Sequence, residues 1–233
     1  RDRGHREARK RHTASAQPPR ARLTSTRSMA ARRRSSVDRE EAVGFLHEIK
    51  AHEEETLIPL IARLLDDMVD QNNRKLASGV EDNVVTSFHA LEDPHIPVPF
   101  YVERIKKYSG ASNCCFVVGL VYIDRVLRKL PGFMLSSFTV HRLLLSSMLI
   151  AAKFMDDLYY SNGHWAKVGG VSLAELNALE LEVLFLINFY LSVSPQEFLH
   201  YRRALQASTG AQAGKLFVGP MPRAPPDDPM IDV

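Results

Sequence analysis

The positions Leu57, Ile58, Leu60, Ile61, Leu64, Leu65, Met68 and Val69 repeat at the i, i+3, i+4, i+7 spacing of one helical stripe. With the polar residues before them they predict an N-terminal helical segment over 41–71. A break near Glu55 is expected, because Pro59 fits only a first helical turn. Residues 72–98 are polar and predict mostly loop, with Ser87–Leu91 dipping toward the core. Five further helices are predicted over 99–207. The first spans about Pro99–Tyr108. The second starts near Ser112 and is stopped by Pro131-Gly132. The third begins at Ser136 or Ser137 and ends near Asp157. The fourth opens on a capping box, Ser172-Leu173-Ala174-Glu175, and runs to about Phe189. The fifth has Ser194 as N-cap, Pro195 in the first turn and Glu197 three residues on. No convincing alternating pattern appears, so the predicted class is all-α.

Composition and charge divide the chain further. Hydrophobic residues make up 45% of its 233 residues, ordinary for a globular protein. Residues 1–40 hold 13 Lys and Arg against 4 Asp and Glu, a net +9; the remainder holds 17 against 23, a net −6. The pattern is a basic arm on an acidic domain. That arm, rich in Arg, Ser, Ala and Pro, is expected to be disordered over 1–40, and so is the tail over 208–233. Cys114 and Cys115 are adjacent inside an apolar helical run, which predicts reduced core residues and a nuclear or cytoplasmic setting. No metal or redox role is expected of them. No apolar run has the length and freedom from charge of a membrane span, and no signal-peptide pattern opens the sequence.

Candidate chemistry concentrates in Leu143–Val171. A helix of small and branched apolar residues carries one lysine, Lys153, then meets Asp156 and Asp157. A lysine there must reach water or find an acceptor. Acids at a helix C-terminus oppose the dipole by about 0.3–1 kcal/mol each. Local stability disfavours the arrangement, which points to a use outside the chain.

The string Ala151-Ala152-Lys153-Phe154-Met155-Asp156-Asp157, followed by Tyr160-Ser161-Asn162 and Ala166–Val171, resembles cyclins of the P or U type, relatives of the phosphate-pathway cyclin of yeast. The resemblance continues through Ser87–Leu91, Tyr101–Ser109, Val121–Arg125 and Glu175–Pro195, and covers about residues 56–207 in family order. It implies a single five-helix cyclin box over 99–207, with an extra N-terminal helix before it. It also implies a non-catalytic subunit that forms a heterodimer with a cyclin-dependent protein kinase and activates it.

By that resemblance Lys153 and Glu180 contact the kinase's regulatory helix, with Phe154 supplying apolar burial. From periodicity alone, the two side chains could equally pair with each other across packed helices, and the two readings can coexist. Asp156 and Asp157 join the expected kinase-binding set. Asp157 is the candidate to offer an anion to the kinase arginines that would otherwise hold a phosphate; the alternative is a solvated helix end. Asp124, amid apolar residues, should be paired, and the resemblance implies a structural salt bridge to an arginine of the first helix, for which Arg104 is the candidate. Tyr159, Tyr160, His164 and Trp165 either anchor an interface or pack on their own helices.

Several other functions find little support. The histidines lack metal-ligand spacing, Lys167–Val171 lacks the phosphate-loop pattern, and no nucleophile sits in a recognisable elbow. No enzyme activity, cofactor or metal is expected. A cyclin-fold adaptor for transcription or nucleic acid is the alternative function, because Arg9-Lys10-Arg11 and Arg32-Arg33-Arg34 suit phosphates; they suit nuclear import equally, and the commonest outcome for such runs is a solvated disordered tail. The acidic remainder argues against a nucleic-acid face.

Overall fold

A computed structural model describes residues 57–207, where the regular elements are all helices, with no strand among the described residues. The expected arm, the start of the 41–71 segment and the tail lie outside the described residues. Among those described there are seven helices: α1 Leu57–Ala77, α2 Val98–Ser109, α3 Asn113–Lys129, α4 Val140–Met155, α5 Asn162–Gly169, α6 Leu173–Leu186 and α7 Pro195–Ala207.

Helices α3 and α4 form the centre. From Cys115 to Val126 every α3 residue is buried, and α4 buries Leu143, Leu144, Leu145, Met148, Leu149 and Ile150. Each such side chain contributes about 1.5–3 kcal/mol when taken from water. Helix α6 packs on α4, and α7 lies against α1 and α3. The buried stripe of α1 is Ile58, Ile61, Ala62, Leu64, Leu65, Met68 and Val69, as the periodicity predicts.

Several boundaries differ from the sequence expectation. Helix α1 runs to Ala77 rather than Gln71. Its polar last turns are anchored by tertiary bonds: Asn72 donates to the Leu135 carbonyl at 3.1 Å, and the Ser137 amide donates to Asn73 at 3.2 Å. Helix α4 begins at Val140, because Ser136 enters a turn whose amide donates to Thr139 Oγ1 at 2.8 Å. The stretch expected as loop after α4 holds the eight-residue α5, whose Trp165 is fully buried.

At α6 the cap is half of the predicted box. The Ser172 hydroxyl accepts from the Glu175 amide at 3.0 Å, but the Glu175 carboxylate pairs with Arg142 at 2.7 Å. Ser194 caps α7 as predicted, accepting from the Glu197 amide at 3.2 Å. The segment before α7 is clipped to α3 by Arg125. Its guanidinium reaches the Tyr190 carbonyl at 2.6 Å, the Ser192 carbonyl at 2.9 Å and the buried Glu197 carboxylate at 3.0 Å.

Candidate functional site

The last turn of α4 and the middle of α6 bring Lys153 and Glu180 together, 2.6 Å apart. Lys153 sits where a cation complements the helix C-terminus. The other Glu180 oxygen accepts from Asn162 at 2.7 Å, at the start of α5, and Asn162 also donates to Asn177 at 2.7 Å. The pair is partly exposed, 31% for the lysine and 14% for the glutamate. An ion pair at that exposure contributes about 0–1 kcal/mol. It therefore does not account for a lysine placed in an otherwise apolar helix.

Apolar side chains left in solvent surround this network. Phe154, next to Lys153, is 49% exposed, and Leu181, next to Glu180, is exposed as well. One turn beyond Leu181 comes Phe185, 65% exposed, and its ring meets that of Phe189 edge-on with centroids 5.2 Å apart. Helix α6 buries Leu176, Leu179 and Val183 inward while Ala174, Ala178, Leu181 and Phe185 face out. A surface helix of an isolated protein is normally polar on its outer side.

Beyond α6 the backbone turns through positive φ at Asn188 and Phe189, 52° and 54°. Such conformations cost non-glycine residues about 1–3 kcal/mol each. They are held by the Phe189 amide on the Leu184 carbonyl at 2.8 Å and by the Arg125 clip. The turn places an aromatic ring outside rather than in the core.

The two aspartates after α4 part company. Asp156 is turned inward, accepting from the Ser112 amide at 3.0 Å and from the Ser112 hydroxyl, so it serves the start of α3. The dipole that disfavours an acid at the end of α4 is thereby offset by the positive end of α3. Asp157 is exposed.

The loop aromatics divide as well. Trp165 goes to the core, while Tyr160 stacks on His164 with centroids 4.1 Å apart, and His164 bonds the Tyr108 carbonyl at 2.7 Å. Tyr159 is exposed.

The expected Asp124–Arg104 salt bridge does not form. Asp124, on the side of α3 that faces α7, is paired with Arg128 one turn on at 2.7 Å and accepts from the Tyr201 hydroxyl. Arg104, on α2, instead donates to the Lys167 carbonyl at 3.2 Å, near the end of α5, where the helix dipole favours a cation. Burial pushes the Asp124 carboxyl above its ordinary value, against the pull of Arg128 and Tyr201.

The cyclin family model matches residues 21–191, from before the described residues to the turn past α6. The chain belongs to the cyclin family. Curated relatives include Cyclin-U4-1 of Arabidopsis thaliana, 44% identical over 150 residues, which are 64% of this chain and 74% of that one. Cyclin-P4-1 of Oryza sativa subsp. japonica is 40% identical over 154 residues, 65% of this cyclin and 73% of the relative. Cyclin-U1-1 of Arabidopsis thaliana is 43% identical over 147 residues, 62% and 70% of the two chains. The cyclin is thus of the P/U type, in a family of regulatory proteins. Among the described residues no helix is long and apolar enough to cross a membrane.

Leu181, Phe185, Phe189 and Asn162 were not among the residues singled out from the sequence. In the sequence Leu173–Leu186 is apolar on both sides, which reads as a buried helix; the structure leaves one of those sides uncovered.

Proposed function

We propose that this cyclin binds a cyclin-dependent protein kinase through the face formed by α4 and α6, and activates it as a heterodimer. The observation that carries the reading is the Lys153–Glu180 pair set among exposed Phe154, Leu181, Phe185 and Phe189. A donor and an acceptor on an apolar platform can satisfy the polar ends of a docked helix while burying its apolar side. The binding energy favours whichever kinase conformation presents that helix correctly, so association shifts the population toward the active state. In that state the kinase's own Lys–Glu pair and magnesium ligands are assembled. Catalysis belongs to the kinase. Exposed Asp157, beside the platform, is the candidate anion for kinase arginines.

The test is capture of partners from a cell lysate on the tagged full-length cyclin, beside a Lys153→Ala/Glu180→Ala variant, followed by mass spectrometry and a phosphotransfer assay. A cyclin-dependent kinase held active by the wild type and lost from the variant supports the reading. A folded wild-type bait that enriches no kinase overturns it and favours an adaptor role for the same fold.

A further inference from the structure

The end of α4 and the start of α3 meet in a cluster that capping does not explain. Asp156 lies 44 residues beyond Ser112 and 41 beyond Cys115, yet all their side chains converge. The Ser112 hydroxyl stands 3.0 Å from the Cys114 sulfur and 3.3 Å from the Cys115 sulfur, and donates to one Asp156 oxygen. The Cys115 thiol donates to the other at 3.2 Å. Both sulfurs and a carboxylate oxygen lie within 4.8 Å of one another.

Ligand atoms held about 2.0–2.3 Å from a tetrahedral ion stand roughly 3.3–3.8 Å apart, so small movements would close the set on one ion. Ser112 occupies the N-cap position of α3, but its hydroxyl takes no amide of that helix; it is turned to the sulfurs and the carboxylate. Asp156 alone satisfies the Ser112 amide, which leaves the convergence of two thiols unaccounted for.

We propose that Cys114, Cys115 and Asp156 bind a thiophilic divalent cation of the zinc class, with the Ser112 hydroxyl ordering the set. Two soft sulfurs and one oxygen select zinc over magnesium or calcium. The anionic ligands are favoured by the N-terminal end of α3. Cys114 is half-buried, which gives an ion a way in, while Cys115 and its sulfur close the inner side. The bound cation ties the end of α4, with Lys153 and Phe154, to the start of α3. This assignment does not depend on what docks there.

Cobalt(II) titration of the reduced, chelator-treated full-length cyclin tests it. One equivalent should give a thiolate-to-cobalt charge-transfer band and tetrahedral visible bands, both removed by zinc. Zinc should raise the melting temperature of the wild type and not that of Cys114→Ser. Ser112→Ala should keep the bands but weaken binding about 10–100-fold, as loss of an outer partner does. Asp156→Asn retains an acceptor for the Ser112 amide, so it reports on the ligand without removing the cap. Cobalt uptake without a thiolate band, or uptake unchanged in Cys114→Ser and Asp156→Asn, overturns the assignment.

Discussion

His141 shows how burial governs a single side chain here. Its ring lies against Tyr101 at 4.7 Å between centroids, and Nε2 bonds the Ile96 carbonyl at 2.8 Å. Burial holds its pKa below the ordinary value, although carbonyls and Asp93 pull the other way. With the folded value depressed, the unfolded chain takes up the proton first as the solution is acidified. Stability from this residue is therefore fully present above about pH 6.5 and declines as pH falls toward the folded value. Urea unfolding at intervals from neutral to mildly acidic pH should show that decline in the wild type and a shallower one in His141→Gln. Asp124 makes a different point. Its environment predicted a paired carboxylate, and the structure pairs it with Arg128 at the i, i+4 spacing; the second partner was not legible, because Tyr201 lies 77 residues away. Tyr201→Phe leaves a buried carboxylate oxygen without that donor and should cost about 1–3 kcal/mol in urea unfolding at neutral pH.

At the scale of elements, stop signals were readable and tertiary capture was not. Pro131-Gly132 and Ser194-Pro195 mark the end of α3 and the start of α7 where local chemistry alone suffices. Helix α5 was illegible for the converse reason. Gly163 and Gly169 are poor helix formers, and an eight-residue helix is unstable by itself. What holds it is the burial of Trp165, Ala166 and Val168 and the close approach of Gly169 to α4. A Cβ at Gly169 would lie 2.1 Å from Leu145 Cδ2 and 2.8 Å from Cδ1. Gly169→Ala, a helix-favouring change on propensity, should therefore destabilise the fold by about 1–3 kcal/mol through overpacking. Thermal unfolding of the single variant decides between propensity and packing. The extension of α1 to Ala77 follows the same logic, since Asn72 and Asn73 find their partners near Leu135 and Ser137, beyond the reach of any local pattern.

For the whole molecule, the decisive property is an apolar face on a chain already folded around a full core. Lys153 could be picked out from the sequence because a charge in an apolar helix is conspicuous, and Glu180 through the resemblance to cyclins; Phe185 could not, because a phenylalanine in an apolar run reads as core. Its exposure separates binding from stability. Phe185→Ala removes a ring that is 65% in solvent and meets Phe189 edge-on, so the isolated cyclin should change by no more than about 1 kcal/mol. If the face docks a kinase, the same change should weaken the complex about tenfold or more, as loss of an aromatic anchor does. Calorimetric titration with a purified cyclin-dependent kinase, beside unfolding of the free cyclin, measures both. Equal affinity for wild type and variant would remove α6 from the interface. Asp157 then resolves docking from activation. It is exposed and outside the Lys153–Glu180–Asn162 network, so Asp157→Ala should leave affinity near that of the wild type. If its carboxylate takes the place of a phosphate, kinase turnover in the saturated complex should fall; unchanged turnover would mean that Asp157 is a solvated helix end, and that activation rests on the position of the docked helix alone.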